Sequence, residues 1–346
     1  GDTKKSIIES ISGLGPAVSA STYKKAENIL YLPIRIETSS SPNSNSMFVL
    51  TFVLPVSASS CHQVFRSDKS KSGKLTSPLY PDGYQPKTQC HYDFLARGRE
   101  RIKLVFEDFS LQKLSESIID CESMDTLDVF LYVDGRLEKM ASYCGSEMPK
   151  PIMSNGPKMT LEFRGMFSSK NNRGFKISYY FVDDYGISTG RQLLEFPCAF
   201  VYNSSERGKG FVTSPNYPGL YPRDTECNYF FYGSQNERVR LHFTHFDVEG
   251  VLPCEAVSAS DYVQFSNQMI DNNSDRYCGQ IRDLQITSEQ NFLRITFRSN
   301  DRLDATGFRA DYIFLRDSEM YSMTMEDFDE NGKLNESLEL GIITFY

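Results

Sequence analysis

The chain has 346 residues, enough for about two domains. Charged residues make up 24% and hydrophobic residues 40%, which excludes a chain disordered throughout. The net charge of −8 excludes a basic nucleic-acid-binding chain, and residues 317–346, with eight acids against Lys333, supply −7 of it.

In chain order, residues 1–46 read as a spacer or untranslated read-through, since 38–46 contain only Thr, Ser, Asn and Pro. Residues 47–60, MFVLTFVLPVSASS, read as a signal peptide starting at Met47, with an apolar run from Phe48 to Val56 and small residues after it. The alternative for this run is a buried strand of a small N-terminal domain. From residue 61 onward the pattern is short and alternating: RIKLVFEDF (101–109), DVFLYV (128–133), KMTLEFR (158–164) and GFKISYYF (174–181). The same texture returns in RVRLHFTHF (238–246), FLRITFR (292–298) and GFRADYIF (307–314). Period-2 alternation between Gly, Pro, Asn and Ser turns predicts strands throughout and no amphipathic helix.

Between these groups, residues 183–197 (DDYGISTGRQLLEFP) read as a linker. Gly186 to Gly190 matches G-x-S-x-G, but a nucleophile elbow needs a strand before it and a helix after it, and neither is predicted. Residues 316–346 read as an acidic disordered tail. Asp327 to Leu334 matches the first eight positions of an EF-hand loop, but Leu338 stands where the bidentate Glu is required. Arg99, Arg101 and Lys103 alternate along one strand and read as a solvated face, with a surface for an acidic glycan or protein as the alternative.

The chain repeats itself. GKLTSPLYP (73–81) returns as GFVTSPNYP (210–218) at an offset of 137, which also maps Cys61 onto Cys198, Cys90 onto Cys227 and Phe106 and Phe109 onto Phe243 and Phe246. Beyond an insertion before Cys121 the offset is 133 or 134, mapping Cys121 onto Cys254 and Cys144 onto Cys278. Each copy therefore holds four of the eight cysteines, with no C-x-x-C pair, which argues against zinc ribbons and redox motifs. Three pairings remain open per copy. Nearest neighbours are the simplest, each closing a loop worth roughly 3–4 kcal/mol in the chain-entropy model. Four histidines, His62, His91, His242 and His245, leave little for a zinc or His-based catalytic site. Strand texture, repeat and cysteines together predict an all-β chain of two disulfide-stapled antiparallel β-sandwiches in tandem.

The series Cys, G-x-[LV]-x-S-P-x-Y-P, C-x-Y, F-x-x-F, Cys, Cys-Gly and a closing Gly-Phe strand resembles the CUB domain, over 61–182 and 198–315. The resemblance implies jelly-roll-like sandwiches, the pairs Cys61–Cys90, Cys121–Cys144, Cys198–Cys227 and Cys254–Cys278, and an extracellular protein-binding module rather than an enzyme. It also implies a calcium site at one end of the sandwich. Carried over position by position, the second copy supplies Glu249, Asp261 and Tyr221, with Asn300 where an Asp is usual and Asp301 beside it. The first copy supplies Gln112, Asp128, Met166 and Tyr84, and a thioether is a poor calcium ligand. Calcium is therefore expected in the second domain only.

The expected partner is an extracellular protein, with a membrane receptor as the leading class and neither nucleic acid nor a membrane span in this chain. The tandem arrangement, the FRSND stretch (297–301) and the insertion in the first copy are most similar to suppressor-of-lurcher-type and neuropilin-and-tolloid-like auxiliary proteins. Those accompany ionotropic glutamate receptors and carry a transmembrane helix, whereas no run here reaches about 18 apolar residues. The expected place is thus extracellular, either secreted or, for a longer chain, at the cell surface. The alternative is a secreted matrix or protease-enhancer protein, the non-catalytic part of a tolloid-like system. Asn203, Asn272 and Asn335 begin N-x-S sequons.

Overall fold

The computed structural model describes residues 24–26, 29–31, 51–52, 60–112, 121, 124–167, 172–254, 258–269 and 275–320. Two compact units result, Gly1–Ala58 and Ser59–Tyr346. In the first, β1 (Lys24–Ala26), β2 (Ile29–Tyr31) and β3 (Thr51–Phe52) form a small antiparallel sheet. Apart from β3 and Ser60, the 47–60 segment lies outside the described residues, as do Asn272, Asn335 and the acidic stretch beyond Met320.

The second unit holds both repeats. The first repeat contains β4 (Ser60–Arg66), β5 (Ser72–Thr76), β6 (Thr88–Leu95), β7 (Arg101–Ser110), β8 (Thr126–Val133), β9 (Arg136–Tyr143), β10 (Ile152–Met153), β11 (Lys158–Gly165) and β12 (Gly174–Val182). They form a five-stranded sheet, β4-β6-β11-β8-β9, and a four-stranded sheet, β10-β7-β12-β5. The second repeat contains β13 (Arg191–Gln192), β14 (Ala199–Asn203), β15 (Lys209–Thr213), β16 (Glu226–Tyr232), β17 (Glu237–Val248), β18 (Tyr262–Ser266), β19 (Arg276–Tyr277), β20 (Gly279–Gln280), β21 (Leu284–Thr287), β22 (Phe292–Arg298) and β23 (Gly307–Arg316). Its sheets run β13-β14-β16-β22-β18-β19 and β15-β23-β17-β20, with β21 also on β17.

Each domain departs from a purely antiparallel sandwich at one place. β4 runs parallel to β6, and β14 parallel to β16. The intervening strand, β5 or β15, lies in the opposite sheet, so two reversals return the chain in its starting direction. A disulfide staples each parallel pair, Cys61–Cys90 and Cys198–Cys227, while Cys121–Cys144 and Cys254–Cys278 tie loops.

The F-x-x-F spacing has a structural cause. In a regular strand, residues three apart face opposite sides. Both Phe106 and Phe109, and both Phe243 and Phe246, are nevertheless buried. A bulge next to each pair makes this possible: Glu107 and Thr244 are the extra residues, skipped in the pairing with β12 and β23. Without tryptophan, the cores are built from stacked and edge-on Phe and Tyr rings, Phe163 against Phe175 and Phe297 against Phe308 among them. Gly174 and Gly307 open the last strands at positive φ (92° and 75°), and a Cβ there would collide with the Ser77 or Ser214 hydroxyl. Those hydroxyls accept from Phe175 N (3.1 Å) and Phe308 N (2.9 Å).

Candidate cation site and interdomain seam

Four loops converge at one end of the second sandwich. Tyr221 comes from the β15–β16 loop, Glu249 follows β17, Asp261 precedes β18, and Asn300 and Asp301 follow β22. Tyr221 is fully buried with its ring edge-on to Phe297. Its hydroxyl donates to Asp261 Oδ2 at 2.6 Å and accepts from Glu249 N at 3.0 Å. Asp261 Oδ1 accepts from Asn300 N at 2.6 Å.

Asp261 is 0% exposed. Burial first, then the negative charges of Glu249 and Asp304, push its carboxyl up to about 6, against the hydrogen bonds from Tyr221 and Asn300. Burial and the Asp261 charge hold the Tyr221 phenol far above its ordinary range, so it stays a donor. The donors at hand are hard oxygens, which suits calcium. Asn300, however, turns its Nδ2 toward Glu249 Oε2 (3.5 Å) and Ala259 O (2.9 Å), while its Oδ1 accepts from Arg302 N (2.7 Å). To serve as an oxygen ligand, its amide must turn over. Asp301 is exposed at the rim. Among the described residues, no three carboxylate, imidazole or thiolate groups are close enough to hold an ion by themselves.

The first domain repeats part of this arrangement, with one correction to the sequence reading. The position matching Asp261 is Asp125, not Asp128. In β8–β11, Leu127 pairs with Phe163 as Val263 pairs with Phe297 in β18–β22, which places Asp125 and Asp261 two residues before equivalent positions. Counting from the preceding cysteine fails because that loop is shorter in the first domain. Asp125 Oδ2 accepts from Tyr84 Oη (2.6 Å), and Oδ1 accepts from Met166 N (2.6 Å) and Phe167 N (3.1 Å). Gln112 N donates to Tyr84 Oη at 2.9 Å. The buried carboxylate thus has three donors, while the glutamate position is Gln112. Asp128 instead holds Lys139 Nζ (3.1 Å) and Ser142 Oγ (2.6 Å).

The 183–197 segment is built into the fold rather than spanning open space. Tyr185 and Ile187 are buried in the second core, and β13 extends its sheet along β14. Arg99, Arg101 and Lys103 form its seat instead of a solvated face. Arg99 Nη1 donates to Leu194 O at 2.7 Å, and the Arg101 guanidinium lies 5.2 Å from the centre of the Tyr185 ring. Burial lowers the Lys103 amine, partly offset by Asp184.

The second domain's TSPNYP loop closes the seam. Buried Asn216 gives its Nδ2 to Pro151 O (3.2 Å), while its backbone N donates to Tyr185 O (2.9 Å). Leu220 N donates to Pro151 O at 2.8 Å, and Leu220 packs against the first core as Met153 does against the second. Arg223 Nε reaches Asp304 Oδ1 at 2.6 Å with both side chains largely buried, and Arg223 Nη2 donates to Met140 O of the first domain (3.4 Å). Neither residue of this pair carries a motif that marks it in the sequence.

Fold and site define a class: a tandem of disulfide-stapled β-sandwich modules with a carboxylate-lined loop end. The CUB domain family model matches residues 61–179 and 200–312, more than half of the chain, and the chain belongs to the CUB-domain family. It is 28% identical over 273 residues to Tolloid-like protein 1 of Homo sapiens, covering 77% of this chain and 24% of that one. It is 27% identical over 271 residues to Neuropilin-1 of Rattus norvegicus, covering 73% and 27%. Against Procollagen C-endopeptidase enhancer 1 of Rattus norvegicus it is 26% identical over 276 residues, covering 77% and 55%. The chain thus spans about a quarter of the length of the first two relatives. Among the described residues, no helix is long and apolar enough to cross a membrane.

Proposed function

We propose that the protein is an extracellular binding chain, acting without catalysis, whose second CUB domain holds calcium. Glu249, Asp261 and Asn300 are the ligands, Asp301 lies at the rim, and Tyr221 positions Asp261 and Glu249. The supporting observation is the state of Asp261: a fully buried carboxylate beside the like charges of Glu249 and Asp304. A divalent cation supplies the missing countercharge. In the first domain, Asp125 is already satisfied by three donors, so that domain binds no calcium. Calcium-fixed loops then offer a leftover carboxylate to a cationic side chain of a partner protein.

The partner class we propose is a cell-surface receptor, an ionotropic glutamate receptor in particular, with this chain as its auxiliary subunit. The support is the sequence resemblance of the tandem and its insertion. The test is co-expression of the full chain with such a receptor, reading surface level and current. Wild type changes both, and Glu249→Ala does not. An unchanged receptor would move the function to the secreted protease-enhancer class, which the similarity to Procollagen C-endopeptidase enhancer 1 favours.

A further inference from the structure

The outer face of the second domain's larger sheet carries a half-exposed aromatic strip that begins at a sequon. Along β14, β16 and β22, Tyr202, Phe231 and Leu293 point into the core and are buried. Their neighbours Asn203, Tyr232 and Phe292 stand on the opposite face, in one row: Asn203 pairs with Tyr232, and Tyr232 with Phe292. The Tyr232 and Phe292 rings lie 5.2 Å apart, and the Tyr232 hydroxyl bonds to Met269 Sδ at 3.6 Å. Tyr232 is 36% and Met269 55% exposed. Two residues along, Phe230 pairs with Arg294 on the same face, and four residues along it is polar, with Thr296 Oγ1 donating to Asn228 Oδ1 at 2.9 Å.

Asn203 is held for modification by its own sequon. Its Oδ1 accepts both from Ser205 N (3.0 Å) and from Ser205 Oγ (2.8 Å). This Asx turn needs only residues 203–205 and leaves Nδ2 without a hydrogen-bond partner among the described residues.

We propose that Asn203 carries an N-linked glycan whose first sugars lie on the Tyr232–Phe292 strip. Sugar rings present C–H faces that pack on aromatic faces, while their hydroxyls stay in water. Strands are about 5 Å apart, so the strip starts one strand from the attachment atom. Tethering makes the contact intramolecular, so a weak stacking interaction is enough to populate it. In the transfer, Nδ2 bonds to the anomeric carbon of a polyprenyl-pyrophosphate-linked oligosaccharide. The carbon–oxygen bond to pyrophosphate breaks, pyrophosphate leaves with the electron pair, and Nδ2 releases one proton to a carboxylate of the transferase. The proposal shares the extracellular location with the functional reading but is independent of calcium, so either can fail alone.

The test uses the full chain secreted from eukaryotic cells. Peptide mass spectrometry finds a glycan on Asn203, absent in Asn203→Gln and Ser205→Ala and retained in Ser205→Thr. Hydroxyl-radical footprinting then compares the purified wild type before and after trimming of the whole glycan with a peptide N-glycanase, which needs no variant to fold. Trimming raises labelling of Tyr232, Phe292 and Met269 severalfold and leaves exposed Tyr180 of the first domain unchanged. A bare Asn203 in the secreted chain overturns the proposal, as does labelling indifferent to trimming. Protection that depends on protein concentration overturns it too, and assigns the strip to a second copy of the chain.

Discussion

Asp304→Asn and Arg223→Met remove opposite halves of one buried ion pair and should destabilise the second domain under different pH laws. In the wild type, burial raises the Asp304 carboxyl even though Arg223 opposes it. With Asp304→Asn, the guanidinium stays buried and cannot shed its proton, so the loss is about 3–5 kcal/mol, and the variant's own stability no longer carries the Asp304 titration. With Arg223→Met, the carboxyl remains and escapes by taking up a proton. Its folded pKa then lies further above the ordinary 3.8, so the group's penalty is absent below that value and grows as pH rises. The growth is about 1.4 kcal/mol per unit, giving at most about 4 kcal/mol at pH 7 and under about 2 kcal/mol at pH 5. Urea unfolding followed by circular dichroism, with chelator present and each variant compared with wild type at both pH values, reads the difference. An Arg223→Met penalty equal at pH 5 and pH 7 would refute this prediction.

Other perturbations separate the parts of the structure. Tyr84→Phe and Tyr221→Phe each remove a hydroxyl bridging a buried aspartate and a backbone N–H, and each should cost about 1–3 kcal/mol in unfolding experiments. Only Tyr221→Phe should also weaken calcium binding; equal effects of the two on calcium would contradict the assignment to one domain. The Arg173 guanidinium, aided by the Tyr80 hydroxyl, holds Asp108 down to about 2. That group's stabilisation is complete above the ordinary carboxylate pKa and is lost as pH falls from 4 toward 2, so Asp108→Asn should flatten the acid melting curve in that window. Asn216→Ala removes the amide donated to Pro151 O and should raise amide exchange in 151–153 and 185–187 without unfolding either core. Unchanged exchange there would argue that the seam is held elsewhere.

Much of the fold was readable from the sequence because alternation of burial and repetition are local properties. The strands at 101–110 and 238–248 follow from their period, and the stapled strand starts from the repeated cysteines. The F-x-x-F motif marks a bulge for the same reason: two inward rings three residues apart cannot share a regular strand. The site was legible only in part. Tyr221, Glu249 and Asp261 do come together, but counting from the preceding cysteine lands on Asp128 instead of Asp125, because it crosses a loop whose length differs between the copies. The D-x-[LV] spacing ahead of the strand, Asp125 before Leu127 and Asp261 before Val263, carries the correct signal. The seam left little trace. Pro151, Leu220, Arg223 and Asp304 meet across a domain boundary and share no period. The one visible hint is the repeat's own mismatch, exposed Leu79 in the first copy against buried Asn216 in the second.

We propose one calcium ion per chain, held by the second domain. Isothermal calorimetry on the full chain stripped of metal tests it directly. A single calcium event is expected, which Glu249→Ala and Asp261→Ala abolish and Asp125→Asn leaves in place. Absence of heat, two ions per chain, or binding unchanged in Glu249→Ala would contradict it.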